Sequence, residues 1–319
     1  MRTRDLRLLA AAALLCQAVG CNWMREWRNQ MGLAPGPTPG GKLRDEPAER
    51  FVQFVNKRAD QLQSLEYSDV RMRVSGKGIP LAVNLEGNLA AAQPRCFRLR
   101  AMGKVAGTID LGSNPDQFWV YAGGAGEPMF VYASHTDFET GRAKIPGGLP
   151  FEPDWVMQAL GLTRLPDGPK YEVRIDDRER TYTLGWSAKA PNGVPVRKEI
   201  VFEGDAASGS RSQIKRHVLL RDDAKRTLIA TAEVRAAESF RAGTDEQGRL
   251  LAPGQYPTRL VLKWEEPRFE MDMTLDRGVV NGGLTDDRRA KLFTRPTDLG
   301  TPAIDLAVAR FDAPTGRPR

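Results

Sequence analysis

The chain has 319 residues, 41% of them hydrophobic and 27% charged, which is the composition of one large or two ordinary folded domains and excludes wholesale disorder. Lys and Arg number 47 against 40 Asp and Glu, a net charge of +7, but no block of five or more like charges occurs, so the excess is spread and nucleic acid is not an expected partner. Three Cys and two His are too few for a disulfide framework or the common zinc sites, and neither a metal nor another cofactor is expected.

Residues 1–20 read as an export signal. Arg2, Arg4 and Arg7 against Asp5 make a positive start, and Leu8 to Leu15 is an unbroken apolar run, too short for a membrane-spanning helix of roughly 20 apolar residues. The run leads to Ala18-Val19-Gly20-Cys21, which resembles the lipobox of bacterial lipoproteins, where small or aliphatic residues precede an invariant Cys. That resemblance implies that the thiol of Cys21 receives a diacylglycerol, that residues 1–20 are cut away, and that acylated Cys21, palmitate included, anchors the chain in membrane lipid. Cys16 follows Leu14-Leu15 and lacks the small residue that cleavage requires. The alternative is an ordinary secretory signal cut elsewhere. Without residues 1–20 the chain keeps 44 basic and 39 acidic residues, or +5. In proteobacterial lipoproteins an Asp after the Cys causes retention at the inner membrane; Asn22 points instead to the outer membrane, facing the periplasm.

Residues 21–46 form the lipidated N-terminus and a tether. Trp23, Met24, Trp27 and Met31 recur at near-helical spacing with Arg25 and Arg28 between them, a pattern that suits either an interfacial segment with indoles at headgroup level or a plain stalk. The Pro- and Gly-rich run from Ala34 to Gly41 breaks regular structure. A single domain is then expected over 47–297, followed by a loose tail over 298–319.

The domain opens with a helix. Asp45-Glu46-Pro47 supplies acid and proline at its start, and Phe51, Val55, Ala59 and Leu62 form one apolar face with Lys57, Arg58, Asp60 and Gln61 on the other. Strand signals follow in series. Val70, Met72 and Val74 alternate with polar residues, as do Leu81, Val83 and Leu85, and Phe97 and Leu99 against Arg98 and Arg100, so one face is expected apolar and the other wet. Strands continue at 105–111, 117–121 and 129–133. The period changes over Phe151 to Leu162, a short helix entered through a Pro- and Gly-rich stretch whose Leu149-Pro150-Phe151 is either an exposed apolar tip or packed under that helix. Strands resume at 171–175, 181–186, 196–202, 214–220, 228–234, 258–264 and 269–275, and a last short helix is expected at 286–292. The fold class is mainly β with few helices (α+β): an open, strongly curved antiparallel β-barrel of about 11–12 strands, with the N-terminal amphipathic helix and short helices against its concave face.

The order of an amphipathic helix, Ser64-Leu65, the strand Tyr67 to Val74, a Leu-x-Gly turn at Leu85-Glu86-Gly87, and Pro94-x-x-Phe97-Arg98-Leu99 resembles the periplasmic lipoprotein-carrier superfamily. Ser113-Asn114-x-Asp116-x-Phe118-Trp119, Val280-Asn281 and Leu292-Phe293-x-x-Pro296 extend the likeness over about residues 48–296. The resemblance implies an open barrel whose apolar concave face accepts the acyl chains of lipoproteins or lipids, in a member that, being lipidated, is closer to the receptor than to the soluble shuttle. Polar loops such as Gly204 to Arg211 and Arg241 to Gln255 exceed a minimal member. Side chains on the inward phase are the candidate lining: Val70, Met72, Val83, Leu85, Phe97, Leu99, Leu260, Leu262, Met271 and Met273, with Phe51, Val55 and Leu62 from the helix. The expected ligand is a lipid or acylated protein, and the chain is expected to be a monomer. The competing reading is a non-transporting interaction or stress-sensing module whose cavity is filled by its own side chains.

No catalytic role is expected. Ser134-His135-Thr136-Asp137 holds triad residue types, but neighbours in sequence spread in direction. Gly-x-Ser-x-Gly, His-Glu-x-x-His and phosphate-binding glycine loops do not occur, and the glycines after Tyr121 read as a hairpin turn. His217 falls on the polar phase of its strand and is expected at the surface; Cys96 is expected to be a half-buried, inert thiol.

Overall fold

The computed structural model describes residues 42–309 except 78, 105–106, 125–126, 145–152, 191–192, 205–212, 242–253, 267 and 283. The signal, Cys21, the Trp23–Met31 segment, the Pro/Gly run, the Leu149–Phe151 tip and most of the two polar loops lie outside the described residues.

Fourteen strands form one sheet, two or three more than expected. They are β1 (Ser64–Gly76), β2 (Ile79–Ala92), β3 (Cys96–Gly103), β4 (Gly107–Ser113), β5 (Gln117–Gly123), β6 (Met129–Ser134), β7 (Glu172–Asp176), β8 (Thr181–Lys189), β9 (Pro195–Glu203), β10 (Ile214–Arg221), β11 (Leu228–Phe240), β12 (Gly254–Trp264), β13 (Phe269–Val280) and β14 (Ile304–Asp305). Four helices accompany them: α1 (Ala48–Gln61), α2 (His135–Glu139), α3 (Pro153–Leu160) and α4 (Asp286–Leu292).

The order across the sheet is β14-β6-β5-β4-β3-β2-β1-β13-β12-β11-β10-β9-β8-β7. Every pairing is antiparallel except β14 on β6, and the two ends do not meet, so the sheet is open. The path is two meanders. The first runs from β1 outward to β6; the second starts at the opposite edge with β7 and returns through β13 to β1. The chain between β6 and β7 must therefore traverse the whole width of the sheet, and α3 lies on that crossing. Asn281 fastens the seam where the meanders join: its Oδ1 accepts from Gln63 N at 2.8 Å and Ser64 N at 3.1 Å, and its Nδ2 donates to Gln61 O at 2.7 Å.

The face that carries α3 is the inner one. There Trp155, Val156, Met157, Ala159 and Leu160 join side chains of β1, β2, β3, β11, β12 and β13 in one core. Helix α1 packs Phe51 and Val55 onto a second core built from β8, β9 and β10. The opposite face is not uniformly wet. Over β2 and β3 it buries Ala90, Ala92 and Cys96 under Phe293, and over β5 and β6 it packs Trp119, Tyr121 and Phe130 against Leu299 and Ala303. Cys96 is thus fully buried rather than half-buried. Residues 298–309, expected as a loose tail, include β14 and the buried Leu306.

Gly87, expected in a turn, lies inside β2, because β2 runs through to pair with β3. A Cβ at this position would stand 1.9 Å from the carbonyl oxygen of Arg100, so the close approach of two strands depends on its absence. Gly87→Ala is expected to cost about 1–3 kcal/mol, as overpacking does, read from urea midpoints; an unchanged midpoint would contradict this packing. Among the described residues no helix is long and apolar enough to cross a membrane.

Candidate functional site

Strand register places the inward-phase residues in two rows. Val83, Val74, Met271, Leu262 and Ala232 stand side by side across β2, β1, β13, β12 and β11, and the row continues through His217 of β10 to Ile200 of β9. Beside it, Leu85, Met72, Met273, Leu260 and Val234 form the second. Phe97 and Leu99 extend the surface through their pairing with Ala91 and Leu89, and Leu62 and Val70 belong to the same core. Eleven of the thirteen expected lining residues are therefore together. Phe51 and Val55 are not: Phe51 sits with its ring 5.1 Å from that of Tyr182 and 5.0 Å from that of Phe202, in the second core.

The rows are covered. Apart from half-buried Val83, none of the thirteen is more than 6% exposed, because α3 lies over the inner face with every residue but Asp154 buried. Its Trp155 ring meets that of Trp264 edge-on at 5.9 Å. The helix ends in a tight cap in which Gly161 N donates to Gln158 O and Leu162 N to Met157 O, both at 3.0 Å, with Gly161 at φ +86°. This is the geometry that glycine accommodates after a helix.

Two polar side chains are buried at this face, and neither was expected there. His217 is 2% exposed, which overturns its placement on the wet side. The reason is a bulge: Ile214 pairs with Phe202 but Arg216 with Val201, so the alternation slips by one residue at Lys215 and turns the imidazole inward. Its Nδ1 has no hydrogen-bond partner, and burial, reinforced by the charge of Arg58, pushes its pKa down to about 3. Arg58, read as part of the polar face of α1, is 8% exposed. Its Nε donates to Gln255 O at 3.0 Å while Nη2 has no partner, and burial pulls its pKa down to about 10. A signal for Arg58 was present, since it stands seven residues after Phe51, three after Val55 and four before Leu62, all on the apolar face. The slip at Lys215 left no such mark in the composition.

The remaining sequence candidates are structural. Ser134 caps α2, its Oγ accepting from Asp137 N at 3.0 Å and donating to Asp137 Oδ2 at 2.6 Å. His135 is buried with Nε2 2.8 Å from the Asn114 carbonyl, to which it donates, and 3.2 Å from Ser113 Oγ. The triad residue types thus form a helix start. Among the described residues no group of three or more His, Cys, Asp or Glu could hold a metal ion.

No protein-family model matches the chain, and no curated protein matches it in sequence. Among solved structures, the chain is similar in fold to a domain from Vibrio parahaemolyticus named for outer membrane lipoprotein sorting, at 9% identity over 77% of this chain and 98% of that one, with a TM-score of 0.48. It is likewise similar to a DUF1329 family protein from Desulfovibrio piger, at 12% identity over 78% of this chain and 98% of that one, with a TM-score of 0.46. At such identities, and with TM-scores below 0.5, no binding property of either protein transfers to this chain.

Proposed function

We propose that this protein is a membrane-anchored lipoprotein of the cell envelope, held through acylated Cys21 at the outer membrane and facing the periplasm, whose inner face accepts the acyl chains of lipids or lipoproteins and catalyses nothing. The observation that carries this reading is the pair of apolar rows across the middle of the sheet, covered at their centre by one eight-residue helix rather than by a second sheet. An acyl chain that takes the place of α3 replaces apolar contacts with apolar contacts and contributes about 0.8 kcal/mol per buried methylene. Met72, Met271 and Met273 give the surface side chains that adapt to an irregular chain.

The near-complete burial of the same rows favours a second reading, an interaction or stress-sensing module whose cavity α3 fills permanently. One experiment separates the two. The Cys21→Ser chain, exported in a lipid-containing host, is expected to leave the membrane fraction, to lose labelling by radioactive palmitate, and to carry acyl species that native mass spectrometry and lipid extraction identify. Persistent labelling would overturn the anchor. A ligand-free protein that also fails to take up a fluorescent fatty acid would overturn the acyl-chain reading and leave the module.

A further inference from the structure

The inner face holds a cation without a counter-ion. Among the described residues Arg58 makes no ion pair, and its single side-chain hydrogen bond, from Nε to Gln255 O, leaves Nη2 buried and unpartnered. The surroundings are apolar or already satisfied. Tyr67 donates its hydroxyl to Pro257 O at 2.6 Å, and Glu238 accepts from the Tyr256 hydroxyl at 2.8 Å on the exposed side of β11. Gly161 brings the end of α3 against the guanidinium so closely that a Cβ there would stand 2.8 Å from Nε and 3.1 Å from Nη2. The two carbonyls used by the α3 cap, of Met157 and Gln158, accept from Leu162 and Gly161 and are not directed to Arg58. The second orphaned atom of this face, His217 Nδ1, lies within reach of the Arg58 charge.

A buried charge that lacks its partner is among the most expensive arrangements a protein can keep, and groups retained against stability concentrate where ligands bind. We infer that the inner face binds an anionic amphiphile, with the carboxylate or phosphate headgroup received by Arg58 Nη2, His217 Nδ1 as the second polar atom of the site, and the acyl chain along the Met72–Met273 row. This rests on the acyl-chain reading above and narrows it: neutral lipids are poor ligands because they leave Arg58 unpaired. Arg is suited to the role because its fork matches a planar carboxylate or a phosphate.

The test is calorimetric titration of the full chain carrying Cys21→Ser with palmitate, with methyl palmitate and with inorganic phosphate, before and after Arg58→Met. Palmitate is expected to bind at least tenfold more tightly than its methyl ester. Arg58→Met should abolish that preference while changing the ester's affinity by less than twofold. The same variant should raise the thermal midpoint of the ligand-free protein, because it removes an uncompensated buried charge, and this also shows that the variant folds. Equal binding of acid and ester overturns the anion site and leaves the acyl-chain reading standing. Phosphate binding that depends on Arg58, with no binding of either long-chain probe, keeps the anion site as a receptor for free anions and overturns the acyl-chain reading. Binding of none of the three overturns both, and a lowered thermal midpoint in Arg58→Met shows that its charge is compensated within the fold.

Discussion

Asp110→Ala is expected to cost about 3–5 kcal/mol of unfolding free energy, the range for breaking a buried charge pair by removing one partner. Asp110 is fully buried, and three side chains depend on it. Arg98 donates to it twice, from Nε to Oδ1 at 3.2 Å and from Nη2 to Oδ2 at 2.8 Å, and Trp119 Nε1 donates to Oδ1 at 3.0 Å. Arg98 Nη1 also donates to Leu292 O at 2.9 Å, which ties the last turn of α4 to the sheet. The indole reaches this carboxylate across Gly112, where a Cβ would stand only 2.0 Å from the Trp119 ring. Loss of the carboxylate strands the Arg98 guanidinium, itself about 10% exposed in its side chain, and leaves the Trp119 indole without its acceptor. Arg100, half-exposed and 3.5 Å away, contributes little, as surface pairs do. Urea denaturation with Trp119 emission as a local probe measures the effect. The double variant Arg98→Met with Asp110→Leu should recover much of the loss, since it removes both charges. A cost below about 1 kcal/mol for Asp110→Ala would mean that the carboxylate does not hold this layer together.

The stability of the protein should fall steeply in mild acid because of His217, and His217→Leu should flatten the fall. The imidazole pKa lies near 3 in the folded chain, lowered by burial first and by the Arg58 charge second, and near 6.5 when unfolded. Between these values the unfolded chain binds a proton that the folded chain does not. The contribution is fully present above pH 6.5 and is lost as pH falls toward 3, by about 1.4 kcal/mol per unit and roughly 4–5 kcal/mol in all. Urea midpoints at pH 7, 5 and 4 for the two proteins should therefore diverge in favour of the variant as pH drops. Parallel curves would show that the imidazole is hydrated or protonated in the folded state. Arg58→Met, by removing the neighbouring charge, should lift the His217 value.

These two sites differ in how far they could be read from residues. The pairing of Arg98 with Asp110 was hidden by alternation: Arg98 stands on the phase opposite Phe97 and Leu99, which is wet only if nothing covers it. Cover comes from α4, whose Leu292 is 194 residues away in the chain, and no local pattern records a partner at that distance. The helix α2 was hidden for the opposite reason, since its five residues are held by one cap from Ser134 to Asp137 rather than by a periodic face. Strand β14 is two residues long and offers no alternation at all. The eleven clustered lining residues, in contrast, were legible, because each is the inward half of a period-two pattern and the register aligned strands that carried the same pattern.

The amino-acid order therefore determined the thirteen longer strands, the amphipathic α1, the helix that becomes α3, and the identity of the apolar side chains that meet across β1, β12 and β13. These follow from backbone geometry, which turns a repeat of 2 or 3.6 residues directly into a face. Folding in three dimensions decided which faces are covered, by α3 on one side and α4 on the other, and turned His217 inward through the slip at Lys215. It also left Arg58 and His217 as the orphaned polar pair of an otherwise apolar surface. Periodicity orients a residue relative to its own chain neighbours, whereas burial and charge compensation depend on segments that arrive from elsewhere, and a bulge reverses phase without altering composition.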